Sequence, residues 1–309
     1  MVRLILNIIL VLVFPFIFIG VINKTKAFWG GRKGASIIQP FYDFVRLLKK
    51  GQVLSKTTSF IFKVAPTISL ASLLVAASLT PITGHKAIFS FEGDFILFAY
   101  ILAFGKFFSL LGAMDTGSSF EGMGASREAS FSTLAEPAFI IIMASLVAIT
   151  GNYSFESLSL MFHKTANLGY LIIVLSCITI FIMVLVEGCR LPVDDPNTHL
   201  ELTMIHEVMI LDNSGIDLAF LSYGAGLKMI LYSSLIANMI IPSGLGLAYS
   251  AIIYIAILFL LAGLIGTIES AFARLRMTHV LQFVFVLCSI SLIVLSLTML
   301  FLYGDTGSL

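Results

Sequence analysis

The chain has 309 residues, 59% of them hydrophobic and 11% charged, with a net charge of +1. Soluble domains carry about 25% charged residues, so this chain lacks the polar side chains to cover a water-facing surface, and a soluble enzyme is excluded. The near-neutral balance argues neither for nucleic acid nor for an acidic partner.

The apolar residues gather into runs of about 20, the length of a helix crossing a hydrocarbon core of about 30 Å. In chain order they predict spans at 3–22, 58–80, 95–113, 132–150, 169–187, 219–241, 247–268 and 281–303. Only helices or closed barrels satisfy backbone groups in lipid, and these runs are too long and continuous for barrel strands. The expected fold is all-α: a polytopic integral membrane helix bundle of about eight transmembrane helices plus one amphipathic cytoplasmic helix. A single domain covers 1–309, with cytoplasmic loops at 23–57, 114–131, 188–218 and 269–280.

The first run, Val2 to Ile22, lacks a small-residue cleavage site and is expected to be a retained helix rather than a signal peptide. In the loop after it, Ile37, Ile38, Phe41, Val45 and Leu48 recur at helical spacing, with Gln39, Asp43, Arg46, Lys49 and Lys50 between them. That pattern predicts an amphipathic helix at the membrane surface, entered through Gly30, Gly31 and Gly34. It serves either as a surface anchor or as a docking platform for a soluble subunit.

The 114–131 loop holds Gly122 and Gly124 but lacks the third glycine and the preceding strand of a dinucleotide fingerprint. Glu136, followed by Pro137, enters the fourth span. A carboxyl inside a membrane is costly, so Glu136 is either a proton-handling group or a headgroup-level carboxyl that begins a helix.

The densest ionisable stretch runs from Glu187 to Asp212 and contains Arg190, Asp194, Asp195, His199, Glu201, His206 and Glu207. Pro192 and Pro196 break the helix there. His206-Glu207 opens a zincin-like pattern, but Ile210 stands where the second histidine is required. There is no serine or cysteine nucleophile with an evident base. The stretch is either a proton relay or electrostatic switch, or a solvated acidic loop. Alternation with Leu200, Leu202, Met204, Ile205 and Val208 favours partial burial.

Lys228 lies about nine residues inside the sixth span, too deep to snorkel, and is expected to meet a carboxylate or water inside the protein. In the last cytoplasmic link Glu269 precedes Arg276 by about two turns, so the two form a structural ion pair, a positive-inside anchor or a functional pair. Cys177, Cys189 and Cys288 stand far apart and are read as small apolar side chains, not cluster ligands.

Two stretches carry a family resemblance that covers nearly the whole chain. One is Ile38-Gln39-Pro40, followed by Asp43, Arg46, Lys49 and Lys50; the other is the spacing of Glu187, Arg190, Pro192, Asp194, Pro196 and Glu201. Both are similar to the membrane subunit shared by complex I and the membrane-bound nickel–iron hydrogenases. Asn197-Thr198-His199 stands where complex I subunits typically carry Glu-Ala-Glu, and it resembles formate hydrogenlyase subunit 4 and its relatives in energy-converting hydrogenases. The segments Asp115-Thr-Gly-Ser-Ser-Phe120, Gly124-Ala-Ser-Arg-Glu128 and Ala135-Glu136-Pro137 point the same way, while Asp212-Asn213 departs from the expected acid-Tyr and loosens any role at 212.

The resemblance implies a non-catalytic anchoring and coupling subunit of the cell's inner membrane. It implies no cofactor in this chain, with a nickel–iron centre and iron–sulfur clusters in its partners. Those partners are hydrogenase large and small subunits, a ferredoxin-like iron–sulfur subunit, antiporter-like membrane subunits and the lipid bilayer, with no nucleic acid. It further implies that the quinone cavity of complex I is reduced or vestigial here. Candidates for proton or ion coupling are Glu128, Glu136, Glu187, Asp194, Glu201, Glu207, Asp212 and Lys228. Candidates for partner docking are Gln39, Pro40, Asp43, Arg46, Arg190, Pro192, Pro196, His199, Glu269, Arg274 and Arg276. The rival readings are the quinone-binding subunit of complex I and a secondary ion transporter. The lack of an internal repeat counts against the transporter.

Orientation follows from twelve Lys and Arg on the side of the 23–57 loop against three, Arg3, Lys86 and Lys164, on the other. By the positive-inside rule the 23–57 loop is cytoplasmic and both termini are outside. Single cysteines at Ser36 and Ser90, in a background lacking the native three, should therefore react with an impermeant thiol reagent from opposite sides of the membrane. Labelling from the same side would reverse this topology.

Overall fold

A computed structural model of the chain describes residues 2–82, 87–155, 167–195, 204–242 and 244–306. Among these it contains ten helices and no strand: α1 (Val2–Trp29), α2 (Gln39–Leu48), α3 (Phe60–Leu79), α4 (Asp94–Asp115), α5 (Ser119–Thr150), α6 (Asn167–Glu187), α7 (His206–Met209), α8 (Ile216–Ile240), α9 (Leu247–Ala271) and α10 (Met277–Thr306). Eight of them are long and apolar enough to cross a membrane, as expected of a multi-pass membrane protein.

The spans interlock around α8. Its best window has the lowest hydropathy of the eight, 1.3, yet 78% of that window is buried. It touches α1, α2, α3, α6 and α9, so protein rather than lipid surrounds it. Around it, α3 pairs with α4, α1 with α9, and α10 with α5 and α6. The outer faces carry exposed Leu4, Ile8, Tyr100, Leu292 and Leu300, an apolar surface suited to acyl chains.

Local chemistry fixes the helix ends. The Ser59 side chain accepts the Ile61 N–H at the start of α3. Asp115, the last residue of α4, accepts the Ser59 and Phe62 N–H groups at 2.7 and 3.2 Å, so one helix caps its neighbour. Small residues let the two approach: a Cβ on Gly105 would fall on Ser72, and one on Gly112 would lie 2.8 Å from Ala65. The α2 helix opens with Pro40 near its N-terminus and holds Gln39 to Asp43 at 3.0 Å, as the amphipathic pattern predicts.

Three loop boundaries differ from the sequence reading. The 114–131 segment is not a loop: apart from a turn at Thr116–Ser118, where Gly117 takes φ +69°, it is the last two residues of α4 and the opening turns of the 32-residue α5. At 1.5 Å per residue α5 is about 48 Å long and exceeds the hydrocarbon core. Apolar-run counting misses its first turns because Ser119–Ala129 is polar yet helix-competent. Likewise the 269–280 link shrinks to residues 272–276, and α1 runs seven residues past its predicted end to Trp29.

Two glycines on α9 test the α1–α9 contact. A Cβ on Gly266 would lie 2.7 Å from Thr25 and 2.9 Å from the Ile22 carbonyl, while Gly263 has open space around it. Gly266→Ala should cost about 1–3 kcal/mol through overpacking, read as a lower Tm in detergent. Gly263→Ala should leave Tm unchanged or slightly raised.

Candidate functional site

The turn after α6 places the first functional side chain. Gly188 has no room for a Cβ, which would lie 2.6 Å from both Met229 and the Val184 carbonyl, and Cys189 follows with φ +50°. The chain therefore turns away at once and leaves Glu187 buried against the bundle, with its side chain 4% exposed. Burial pushes the thiol pKa of Cys189 up, as suits an inert apolar filler.

Glu187 meets two cations. Lys106, from the middle of α4, donates to one of its oxygens at 2.6 Å, and Lys228, from α8, lies 3.4 Å from the other. Lys106 also donates to Ser132 at 2.9 Å and stands 3.8 Å from Glu128 and 3.7 Å from Glu136. Glu128 and Glu136 are eight residues apart, about two turns along one face of α5, so a single ammonium reaches both. Three carboxylates and two ammoniums thus form one continuous group drawn from four helices.

The group borders a cavity of about 330 Å³, lined on its apolar side by residues such as Leu73, Phe95, Ala99 and Phe139, with His206 and Tyr232 as further polar groups. That volume lies within the range of small-molecule pockets. Small residues at Ser69, Ser72, Gly105 and Gly224 leave the space open.

A second group lies in the adjacent loop. Asp194 is 1% exposed; Arg274 contacts it at 2.8 Å, and it accepts the N–H groups of Ile205 and His206 at 3.0 and 3.1 Å. Glu269 joins Lys26 at 2.8 Å and Arg190 at 3.4 Å. The Pro192 carbonyl accepts the Leu275 N–H at 3.0 Å, tying the two loops together. The 204–210 segment is also held from α5: Arg127 donates to the Met204 carbonyl at 2.7 Å, and Gly124 is so close that a Cβ would collide with Val208. Burial pushes the His206 ring down to a pKa of about 4, with Lys228 adding to the effect, so it is neutral near pH 7.

The structure thus brings Glu128, Glu136, Glu187 and Lys228 together, and Arg190, Asp194, Pro192, Glu269 and Arg274 in a neighbouring knot. Arg190 and Glu269 are buried on each other rather than displayed at the surface. The proposed Glu269–Arg276 pair is replaced by Glu269 with Lys26 and Arg190, and Arg276 is exposed. Asp212 is exposed, with its N–H given to Glu121 at 2.9 Å, and Glu207 is half-buried on α7. Gln39, Pro40, Asp43 and Arg46 all lie on α2, where Arg46 stands 3.9 Å from Asp43. Pro196, His199 and Glu201 lie outside the described residues, as do Asn197 and Thr198. Sequence reasoning passed over Lys106, although a lysine at mid-span carries the same signal as Lys228: a charge too deep to reach water. Among the described residues no three His, Cys, Asp or Glu stand close enough to hold a metal.

Residues 2–300 match the NADH dehydrogenase family. The chain is 31% identical over 231 residues to hydrogenase-4 component C of Escherichia coli (strain K12), covering 74% of this chain and 71% of that one. It is 25% identical over 266 residues to formate hydrogenlyase subunit 4 of the same bacterium, covering 84% and 85%. In fold it resembles a chain of the membrane-bound sulfane sulfur reductase, an archaeal respiratory membrane complex, with a TM-score of 0.80 over 96% of this chain and 98% of that one. At 17% identity that likeness is one of fold.

The shared use of Lys106 has a measurable consequence. Lys106→Gln leaves Glu128, Glu136 and Glu187 facing one another with one cation fewer, and breaking a buried pair costs about 3–5 kcal/mol. The variant should show a large fall in Tm or in yield. Adding Glu187→Gln should recover part of the loss, a coupling that a double-mutant cycle reads directly.

Proposed function

The chain belongs to the NADH dehydrogenase family, and we propose that it is the anchoring and energy-coupling membrane subunit of a membrane-bound hydrogenase complex. In this reading it links electron transfer in a peripheral hydrogenase to H⁺ or Na⁺ movement. The observation that carries the reading is the Lys106–Glu187–Lys228 chain of ion pairs, buried within the membrane-spanning bundle and joined to Glu128 and Glu136. The two relatives of similar length, a hydrogenase-4 component and a formate hydrogenlyase subunit, favour the hydrogenase branch over complex I.

The geometry suits charge transfer. Lys106 holds Glu187 closely and the two α5 carboxylates more loosely. Neutralising Glu187 with a proton weakens its hold on both lysines, and Lys106 then swings towards Glu128 and Glu136. A proton arriving at one end of the group is thereby felt at the other. Asp194, Arg190 and Glu269 brace the loop above, next to the face where a partner subunit docks; Glu201, His199 and Pro196 belong to the same proposed interface, with α2 beside it. The nickel–iron centre and iron–sulfur clusters reside in hydrogenase large and small subunits and a ferredoxin-like subunit, and ion passage continues into antiporter-like neighbours. The orientation with both termini outside is part of this proposal.

Purification of the tagged chain in mild detergent should bring down hydrogenase large and small subunits. The purified complex in liposomes should form hydrogen from a low-potential donor and move ions as it does so, insensitive to quinone-site inhibitors of complex I. Rapid, inhibitor-sensitive reduction of a short-chain quinone with no hydrogen activity would transfer the chain to the complex I branch.

A further inference from the structure

The charge-lined cavity has a smaller neighbour. A void of about 20 Å³ lies between the start of α3, the end of α4 and the 209–213 segment, on the side of the 23–57 loop. That volume holds about one water molecule. Its polar lining comprises Ser109, His206 and Asn213, and the Asn213 side-chain oxygen is buried without a partner. Four residues line both cavities: Ser109, His206, Met209 and Leu221. Of these, His206 alone has a side chain that takes up and releases protons. Ser109 donates its hydroxyl to Ser69 at 3.2 Å.

We propose that His206 is the proton-transfer group between these two cavities, passing protons from the loop-bearing face to the Lys106–Glu187 group, and that Asp194 is the residue that positions it. This rests on the function proposed above and names its entry point. A neutral imidazole has one N–H donor and one acceptor nitrogen. A protonated water donating to the Asn213 side-chain oxygen passes its extra proton to the acceptor nitrogen and is left as neutral water, and the other ring nitrogen releases its own proton to a carboxylate of the large cavity. The ring ends neutral in the opposite tautomer and resets by turning over. Charged groups face it from several elements: Lys228 on α8, Glu187 on α6, Lys106 on α4 and Asp194 in the loop, while Glu128 on α5 lines the same cavity. The low pKa keeps the imidazolium a passing state rather than a trap. Asp194 acts through the backbone, accepting the Ile205 and His206 N–H groups while Arg274 holds its other oxygen.

The test uses the purified complex in liposomes, with hydrogen formation and proton translocation measured together between pH 6 and 8. His206→Gln keeps a hydrogen-bonding amide but cannot carry a proton. Translocation per hydrogen formed should fall by roughly a hundredfold, the low end for a positioned proton-transfer group. In His206→Ala, free imidazole should restore translocation in proportion to its concentration, which a structural role would not allow. Asn213→Leu, which fills the small void without touching Asp194, should reproduce the loss, and it decides the matter if His206→Gln fails to assemble. A wild-type complex that translocates, with a normal ratio in His206→Gln or in Asn213→Leu, overturns the role of His206 and leaves the coupling function standing. A wild-type complex that forms hydrogen while moving Na⁺ and no protons overturns the role of His206 alone, and one that moves neither ion overturns the coupling function first.

Discussion

A carboxylate taken from water into a low-dielectric interior forfeits several kcal/mol of solvation unless a cation and hydrogen-bond donors replace the water. Glu187 answers that constraint with two lysines from two different helices. The rest of the loop-bearing half follows. The chain turns sharply at Gly188 and Cys189 so that Glu187 stays inside, α4 and α8 bring their lysines to it, and α5 presents two further carboxylates to the lysine that α4 contributes. No member of the group is matched one to one, which lets a change at one site be shared by the others.

The same economy shapes the loop beside it. Asp194 serves as an ion-pair partner for Arg274 and as an acceptor for two consecutive backbone N–H groups. Glu269 joins α1 and α9 to the α6 turn through Lys26 and Arg190. These contacts hold the turn at 188–195 and the 204–210 segment, which give Cys189, His206 and Met209 to the cavity lining, and Arg127 and Gly124 of α5 grip the 204–210 segment from the other side. The length of α5 matters here, since its first turns reach out of the hydrocarbon region and meet that segment directly.

Apolar run length and helical spacing made the eight spans and the α2 helix legible in the sequence, because both are local properties of the chain. Glu136, Glu187 and Lys228 were legible for a similar reason: a charge inside an apolar run is conspicuous on its own. Their connectivity was not. Lys106 and Glu187 are 81 residues apart, and Arg190 and Glu269 are 79 apart, so no local pattern encodes either pair. Of the readings open for Glu269, an ion pair with Arg276 gives way to Lys26 and Arg190, tertiary contacts that no local pattern encodes. The start of α5 was missed because a polar helix outside the bilayer carries no hydropathy signal.

The sharing of Lys106 also bears on how the protein is made. Membrane helices leave the ribosome in order, and a lysine at the centre of a helix resists insertion by about 2.5–3.5 kcal/mol. Lys106 emerges with α4, whose best hydropathy window of 1.9 is well below the 3.0 of α1, while Glu187 follows 81 residues later. Glu128 and Glu136 come sooner, on the helix that follows α4 after a three-residue turn. The α4–α5 hairpin can therefore enter the bilayer as a neutralised unit, with α5 acting as a temporary chaperone for the lysine until α6 delivers its final partner. On this view the looser contacts to Glu128 and Glu136 record the order of biogenesis as well as the working of the finished subunit.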